Sequence, residues 1–350
     1  MSKTVFSTGV LLIALSIAFT ACHPDPSLDP PETQAPLGFY TPEGWPQPIY
    51  SFSGNELSPE GISLGRKLFY DPVLSYDKTI SCNSCHEQFS AFSHLDHPLS
   101  HGIYGLFGTR NAPSLSNLAW KPAFFWDGNV TKLEDQPMHP IENPVEMDLP
   151  VADAVSRLNA DPGYRKDFKT VFGTDTISAQ QLYKALSQFM VVIISATSRY
   201  DKHVRGEAGG TFTEQETRGL NAFRQKCASC HKEPLFTDYS YRNNGLSPSA
   251  AINDSGRALV TRNPDDLYKF MVPSLRNIDL SRPYMHDGRI RTLDAVLEHY
   301  RTGIVVSPTL DTSLTGGIAM TDDEKADIIA FLKTLSDKDM ISDSRLSQPK

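Results

Sequence analysis

Cys82-Asn-Ser-Cys85-His86 and, a domain's length later, Cys227-Ala-Ser-Cys230-His231 are two copies of one pattern. Two thiols three positions apart, followed at once by an imidazole, form C-x-x-C-H, the attachment signature of a c-type haem. The thiols can form thioethers to the two vinyl groups, and the histidine falls beneath the iron as its proximal ligand. The same residues could in principle make a four-cysteine zinc site or two redox C-x-x-C motifs. A histidine directly after both pairs argues against these. The sequence therefore predicts two covalent haems c, held by Cys82, Cys85 and His86 and by Cys227, Cys230 and His231.

The flanks of the two motifs repeat as well. Ser58 to Phe69 carries Ile62, Leu64, Leu68 and Phe69 near helical spacing ahead of the first motif. Thr213-Glu-Gln-Glu216 is a capping box that opens a helix ahead of the second. Each haem thus follows a short amphipathic helix, as in a small class I cytochrome c. The run from Ser178 to Ser195 predicts a long apolar helix that closes the first domain. Arg205 to Gly210 is a glycine-rich linker, and Thr321-Asp-Asp-Glu324 caps a last helix to Leu335. The expected fold is mainly α, with little sheet: two class I cytochrome c-like domains, residues 51–204 and 205–340, each with one covalent c-type haem.

Four of the five cysteines are then used. The fifth, Cys22, ends a segment with Lys3 in front and an apolar run from Val10 to Phe19, too short to span a bilayer. Phe19-Thr-Ala-Cys22 resembles a bacterial lipobox, so residues 1–22 read as a lipoprotein signal peptide. Residues 23–50 read as a proline-rich tether from a lipid anchor on Cys22. The expected location is the periplasm, on either membrane. With 41 Asp and Glu against 33 Lys and Arg, nothing in the charge offers a nucleic-acid footprint.

Further motifs carry a resemblance to a known family. Gly108-Thr-Arg-Asn-Ala-Pro-Ser-Leu-Ser-Asn117, Phe124-Phe-Trp-Asp-Gly128 and Leu133 to Met147 resemble the bacterial di-haem cytochrome c peroxidase and MauG family. Pro273-Ser-Leu-Arg-Asn277 and Arg282-Pro-Tyr-Met-His-Asp-Gly288 resemble it again, and the likeness runs over roughly residues 50–338. It implies hydrogen peroxide as substrate, with Glu146 as acid/base over the first haem and Glu142 as its rival. It implies Gln136 as a pocket residue and Trp126 as an electron relay between the haems. It also implies calcium between the domains, bound by the Asn111 side chain and by the Ser281 and Pro283 carbonyls; oxygen donors suit that hard cation.

Two positions bear on the branch of the family. Alignment back from Arg110 sets Ile103 where many members have a distal histidine, so the first haem is expected to be five-coordinate; His94, His97 and His101 lie nearby. Fourteen residues after His286 stands Tyr300, where methionine is usual. A tyrosine there resembles MauG-type enzymes, and anionic oxygen ligation stabilises oxidised iron; His299 and Met285 are the alternative ligands. The expected activity is peroxide reduction with electrons from a periplasmic partner such as a small cytochrome c. The alternatives are peroxide-driven oxidation of a partner protein and simple di-haem electron transfer. A homodimer is compatible with each.

Overall fold

The structure is a computed structural model that describes residue 1 and residues 35–349. Cys22, the rest of the export segment and the tether up to residue 34 lie outside the described residues. Among the described residues no helix is long and apolar enough to cross a membrane. The fold is mostly helical. The named strands, Tyr241–Arg242 and Phe270–Met271, are two residues each and pair antiparallel with Tyr241 opposite Met271.

The helices begin where side chains can take up their free amides. Ser58 accepts from Gly61 N at 3.0 Å and starts the Pro59–Tyr70 helix. Thr213 and Thr321 each form the reciprocal box with a glutamate three residues on, opening Glu214–Lys226 and Asp322–Lys333. The apolar run after Ser178 is helical only over Ala179–Val191, shorter than expected. The physical reason is a competing partner: Asn117 Oδ1 accepts Ser195 N at 2.9 Å, and Asn117 N donates to the Ile193 carbonyl at 2.8 Å. β-branched Val192, Ile193 and Ile194 give up the helix readily.

Buried side chains gather in two clusters. One holds Leu68, Phe69, Phe92, Leu186 and Phe189; the other holds Phe223, Phe236, Phe331 and Leu335. The clusters are built alike. In the first, the Pro59–Tyr70 helix crosses Ala179–Val191 at Gly65, where a Cβ would stand 2.0 Å from the Ala185 carbonyl oxygen. In the second, Glu214–Lys226 crosses Asp322–Lys333 at Gly219, where a Cβ would stand 2.0 Å from the Asp327 carbonyl oxygen. Asn277 does for Leu335 and Asp337 what Asn117 does for Ile193 and Ser195, accepting Asp337 N at 2.7 Å. Both asparagines are left-handed, at φ 60° and 61°. Gly65→Ala and Gly219→Ala should each lower stability by about 1–3 kcal/mol through overpacking. Gly38→Ala, with nothing within 4 Å, should not; denaturant midpoints compare the three.

Two segments strap the clusters together. The expected tether is not free over its last part: Trp45 packs edge-on against Trp120 at 5.0 Å, and the Trp120 indole donates to the Pro46 carbonyl at 2.8 Å. Aromatic residues among the prolines decide this, since they bury area a tether would leave in water. At the other terminus the short Lys338–Ser342 helix returns to the first cluster, which includes Met340 and Leu346. Tyr70 donates to the Leu346 carbonyl at 2.7 Å, and Gln88 donates to the Met340 and Asp343 carbonyls. Arg276 is fully buried and makes a bidentate pair with Asp201 at 2.8 and 2.9 Å.

Candidate active site: two cysteine–histidine cavities

Each C-x-x-C-H segment coils into one tight turn. His86 N donates to Cys82 O and His231 N to Cys227 O, both at 3.0 Å. The turn sets both thiols and the imidazole on the wall of one cavity. The first cavity, about 60 Å³, takes Cys82, Cys85 and His86; the second, about 250 Å³, takes Cys227, Cys230 and His231. His86 Nδ1 donates to the Phe92 carbonyl at 3.0 Å and His231 Nδ1 to the Phe236 carbonyl at 3.1 Å. Those carbonyls belong to residues at positive φ, 58° and 55°, which turns the chain back under the ring. A carbonyl can only accept, so Nδ1 carries the proton and Nε2 is left as a donor for a metal.

The residues fit covalent haem better than the two rivals considered. The four cysteines are free and divide between separate cavities, so no four-thiolate zinc site forms among the described residues. Burial pushes the thiols of Cys82, Cys85 and Cys227 up to about 12, the reverse of a redox C-x-x-C pair. Burial likewise lowers both histidines, His86 to about 4, so they are the neutral imidazoles that ligate metals. The second cavity is walled by Phe223, Leu275, Leu293, Leu297 and Leu332, as a macrocycle's faces require.

Glu146 and Gln136 line the first cavity with the motif. Burial raises the Glu146 carboxyl above the usual range, partly offset by Asn143 Nδ2, which donates to Oε1 at 3.1 Å. Its backbone is fixed too: Glu146 O accepts from Ile103 N at 2.8 Å, and a Cβ on Gly102 would strike it at 2.0 Å. Glu142 is exposed and spends an oxygen on Val151 N at 3.1 Å, outside the cavity. Ile103 is buried in the protein and is absent from the cavity wall, whereas His101 is on it. Loop register carries no periodicity, so spacing alone does not tell which of Ile103 and the nearby His94, His97 and His101 faces the cavity. Asn143 and Gly102 were also missed; each acts through contacts that lack a motif.

Tyr300 lines the second cavity, on the face of the Leu293–Thr302 helix turned to Leu293 and Leu297. Burial pushes its hydroxyl up to about 12 against the pull of a hydrogen bond from Asn244. A phenol so placed ionises readily only against a cation such as ferric iron. Of the alternative ligands, His299 points elsewhere, its Nε2 donating to the Asn244 carbonyl at 3.0 Å. Met285 does line the cavity, and its sulfur accepts from Asn244 Nδ2 at 3.3 Å.

Trp126, Asn111, Ser281 and Pro283 all reach the wall of this second cavity. Trp126 Nε1 donates to the Asn111 carbonyl at 2.8 Å, and Asn111 N donates to the His286 carbonyl at 2.7 Å. The next residues, Ala112 to Ser114, also line it, while the Pro113 carbonyl hydrogen-bonds His86 of the first cavity. One covalent stretch therefore touches both sites. The Asn111 amide nitrogen is held by the His97 and Pro98 carbonyls, which leaves its oxygen as the atom suited to a hard cation.

A family model described as di-haem cytochrome c peroxidase matches residues 59–209. The chain is 36% identical over 305 residues to the methylamine utilization protein MauG of Methylorubrum extorquens, covering 85% of this chain and 83% of that one. It is 34% identical over 281 residues to cytochrome c551 peroxidase of Nitrosomonas europaea, covering 78% and 79%. A solved MauG-like protein associated with microbial copper homeostasis superposes with a TM-score of 0.79 at 34% identity, over 88% of this chain and 98% of that one. With two C-x-x-C-H cavities and this breadth of likeness, the chain belongs to the di-haem cytochrome c peroxidase and MauG family.

Proposed function

We propose that the chain is an exported di-haem peroxidase of two cytochrome c-like domains, 51–204 and 205–340, that reduces hydrogen peroxide at the Glu146 cavity. One observation carries the assignment of the site: a buried carboxyl of raised pKa shares a cavity with Cys82, Cys85 and His86. Haem held by Cys82, Cys85 and His86 would supply the iron for O–O bond cleavage. Overall, peroxide takes two electrons and two protons and yields two waters. Glu146 accepts a proton from one peroxide oxygen and returns it to the other. Asn143 keeps the carboxyl aimed, and Gln136 orients peroxide beside it.

Electrons enter from a periplasmic donor such as a small cytochrome c through the second cavity, with Trp126 on the route to the first. Calcium held by the Asn111 side chain and the Ser281 and Pro283 carbonyls would keep that route in register. Cys22 ties the chain to a membrane by lipid, and the proline-rich segment spaces it from the surface.

Tyr300 supports a second reading, in which peroxide drives oxidation of a partner protein, as the MauG resemblance implies. Stopped-flow absorption after adding hydrogen peroxide to the diferric protein separates the cases. A lasting near-infrared band without prior reduction is the outcome of the MauG-like reading. Turnover only after one-electron reduction is the outcome of the peroxidase reading. No spectral change would sink both and leave electron transfer alone. Tyr300→Phe is expected to shift the absorption spectrum and lower-potential character of the second haem; an unchanged spectrum would remove the tyrosine as its ligand and turn attention to Met285.

A further inference from the structure

The loop from Ser93 to His101 carries three histidines that the peroxide chemistry above does not use as a group. Asp96 sits at φ 60° and reverses the chain, with its N–H donated to the Arg282 carbonyl at 3.1 Å and its carboxylate paired with the Arg282 guanidinium. Asn111 Nδ2 fixes the same turn by donating to the His97 and Pro98 carbonyls. The turn brings the rings of His94 and His97 into a stack, centroids 4.1 Å apart and 17° from parallel. His101 closes the triangle, at 5.0 Å from His94 and 4.9 Å from His97.

Each imidazole offers one nitrogen such that all three lie within 4.8 Å of one another. His97 spends Nδ1 on the Leu95 carbonyl at 2.9 Å, so Nε2 is its open atom. His94 is only 3% exposed, and its Nδ1 is buried without a hydrogen-bond partner. That is unusual, because an unpartnered buried polar atom costs about 1–3 kcal/mol. Packing histidines in a core normally come with a carbonyl or hydroxyl to answer them, as His86 and His231 do here. Three imidazoles that share a face also repel one another once protonated. Burial and then these neighbours hold His94 down to about 4, in its neutral, ligating form. Metal–nitrogen bonds of about 2.0–2.1 Å bring ligand nitrogens to roughly 3.4 Å apart, a contraction that exposed His97 can supply by turning its side chain.

We propose that His94, His97 and His101 form a three-imidazole site for one borderline first-row cation, zinc(II) or copper, separate from the haem irons and the calcium position. Neutral imidazoles without a carboxylate select that end of the transition series over magnesium or calcium. The three protein ligands leave a further coordination position on the His97 side, which opens to solvent. Occupancy would be felt in the first cavity. His101 is part of that wall, beside Cys85 and Glu146. It would also be felt toward the second cavity, because Ser93 lines it and Arg282 is flanked by Ser281 and Pro283.

The test uses the tag-free, haem-loaded chain, freed of loose metal with a chelator and dialysed against zinc chloride or copper(II) sulfate separately. Metal analysis counts zinc or copper per haem pair, and electron paramagnetic resonance of the copper sample reads nitrogen couplings. The expected result is one zinc or copper per chain with imidazole nitrogen couplings. His97→Ala, at an exposed position, should weaken binding by at least roughly 100-fold while the haem absorption spectrum stays as in the wild type. His94→Gln should do the same. Failure of both metals to bind stoichiometrically would overturn the site, as would binding that survives both substitutions. So would a His101→Ala chain whose first-haem bands shift while the parent takes up no added metal, since that imidazole would then belong to the haem iron.

Discussion

Glu146→Gln is expected to slow the reaction with hydrogen peroxide by roughly 10²–10⁴-fold, the usual worth of a positioned proton carrier. Glutamine keeps the size of the side chain and still offers an oxygen to Asn143 Nδ2, so the cavity and both haem spectra should be unaltered. What disappears is the ability to take a proton and give it back. The pH profile offers a second check. Because burial raises the Glu146 carboxyl, the rate in the parent should climb with pH around a midpoint above that of an ordinary glutamate. The variant should lack that limb. Stability should move the opposite way. A raised folded-state pKa means that the group's contribution is fully present below the unfolded value and is lost as pH rises through the folded one. At neutral pH, Glu146→Gln should therefore melt above the parent. A variant that reacts at the parental rate would remove Glu146 from the chemistry.

The second large effect concerns folding. Arg276→Ala is expected to destabilise the protein by about 3–5 kcal/mol, the range for stranding one member of a buried ion pair. Arg276 and Asp201 are 0% and 3% exposed, and the pair is bidentate. Asp201 would be left accepting only from Ser198 at the start of the Arg199–Val204 helix. The guanidinium also donates to the Pro234 carbonyl at 2.9 Å and lies 4.5 Å over the Trp45 ring. Its loss therefore loosens the packed N-terminal segment and the ground beneath Phe236, whose carbonyl orients His231. Denaturant unfolding measures the change. Arg276→Ala combined with Asp201→Ala should recover part of the loss, because no charge is then left buried alone. An Arg276→Ala chain within 1 kcal/mol of the parent would mean that water reaches Asp201.

Features with a local cause were readable in the chain. The caps at Thr213 and Thr321 stand where their residue types predict, since a cap and its amide are three residues apart. Tyr300 reaches the cavity because its spacing from Leu293 and Leu297 sets all three on one helical face. Features that depend on distant partners were not readable. The helix after Ser178 ends early because Asn117 takes the Ser195 amide and the Ile193 carbonyl, and nothing in residues 178–195 announces Asn117. The proline-rich stretch is packed where Trp45 meets Trp120 and Arg276, both far along the chain. Ile103 and His101 differ by two positions in an irregular loop, where neither period 3.6 nor period 2 fixes which side chain faces the cavity. The three-histidine triangle has the same origin: spacings of three and four look helical, yet a left-handed turn at Asp96 assembles it.

The returning C-terminal segment has a consequence for biogenesis. Met340 and Leu346 are made long after most of the cluster that they complete, Leu346 following its partner Tyr70 by 276 residues. A ribosome or translocon delivers the chain from its N-terminus, and early-emerging portions ordinarily fold as units. Here the earlier portion stays open along Tyr70 and Gln88 until Met340, Asp343 and Leu346 arrive. Such sequence-distant closure slows assembly. It also makes the two lobes depend on one another's arrival, so that a nascent chain released short of Leu346 would remain a target for proteolysis even with its first thioether site already translated.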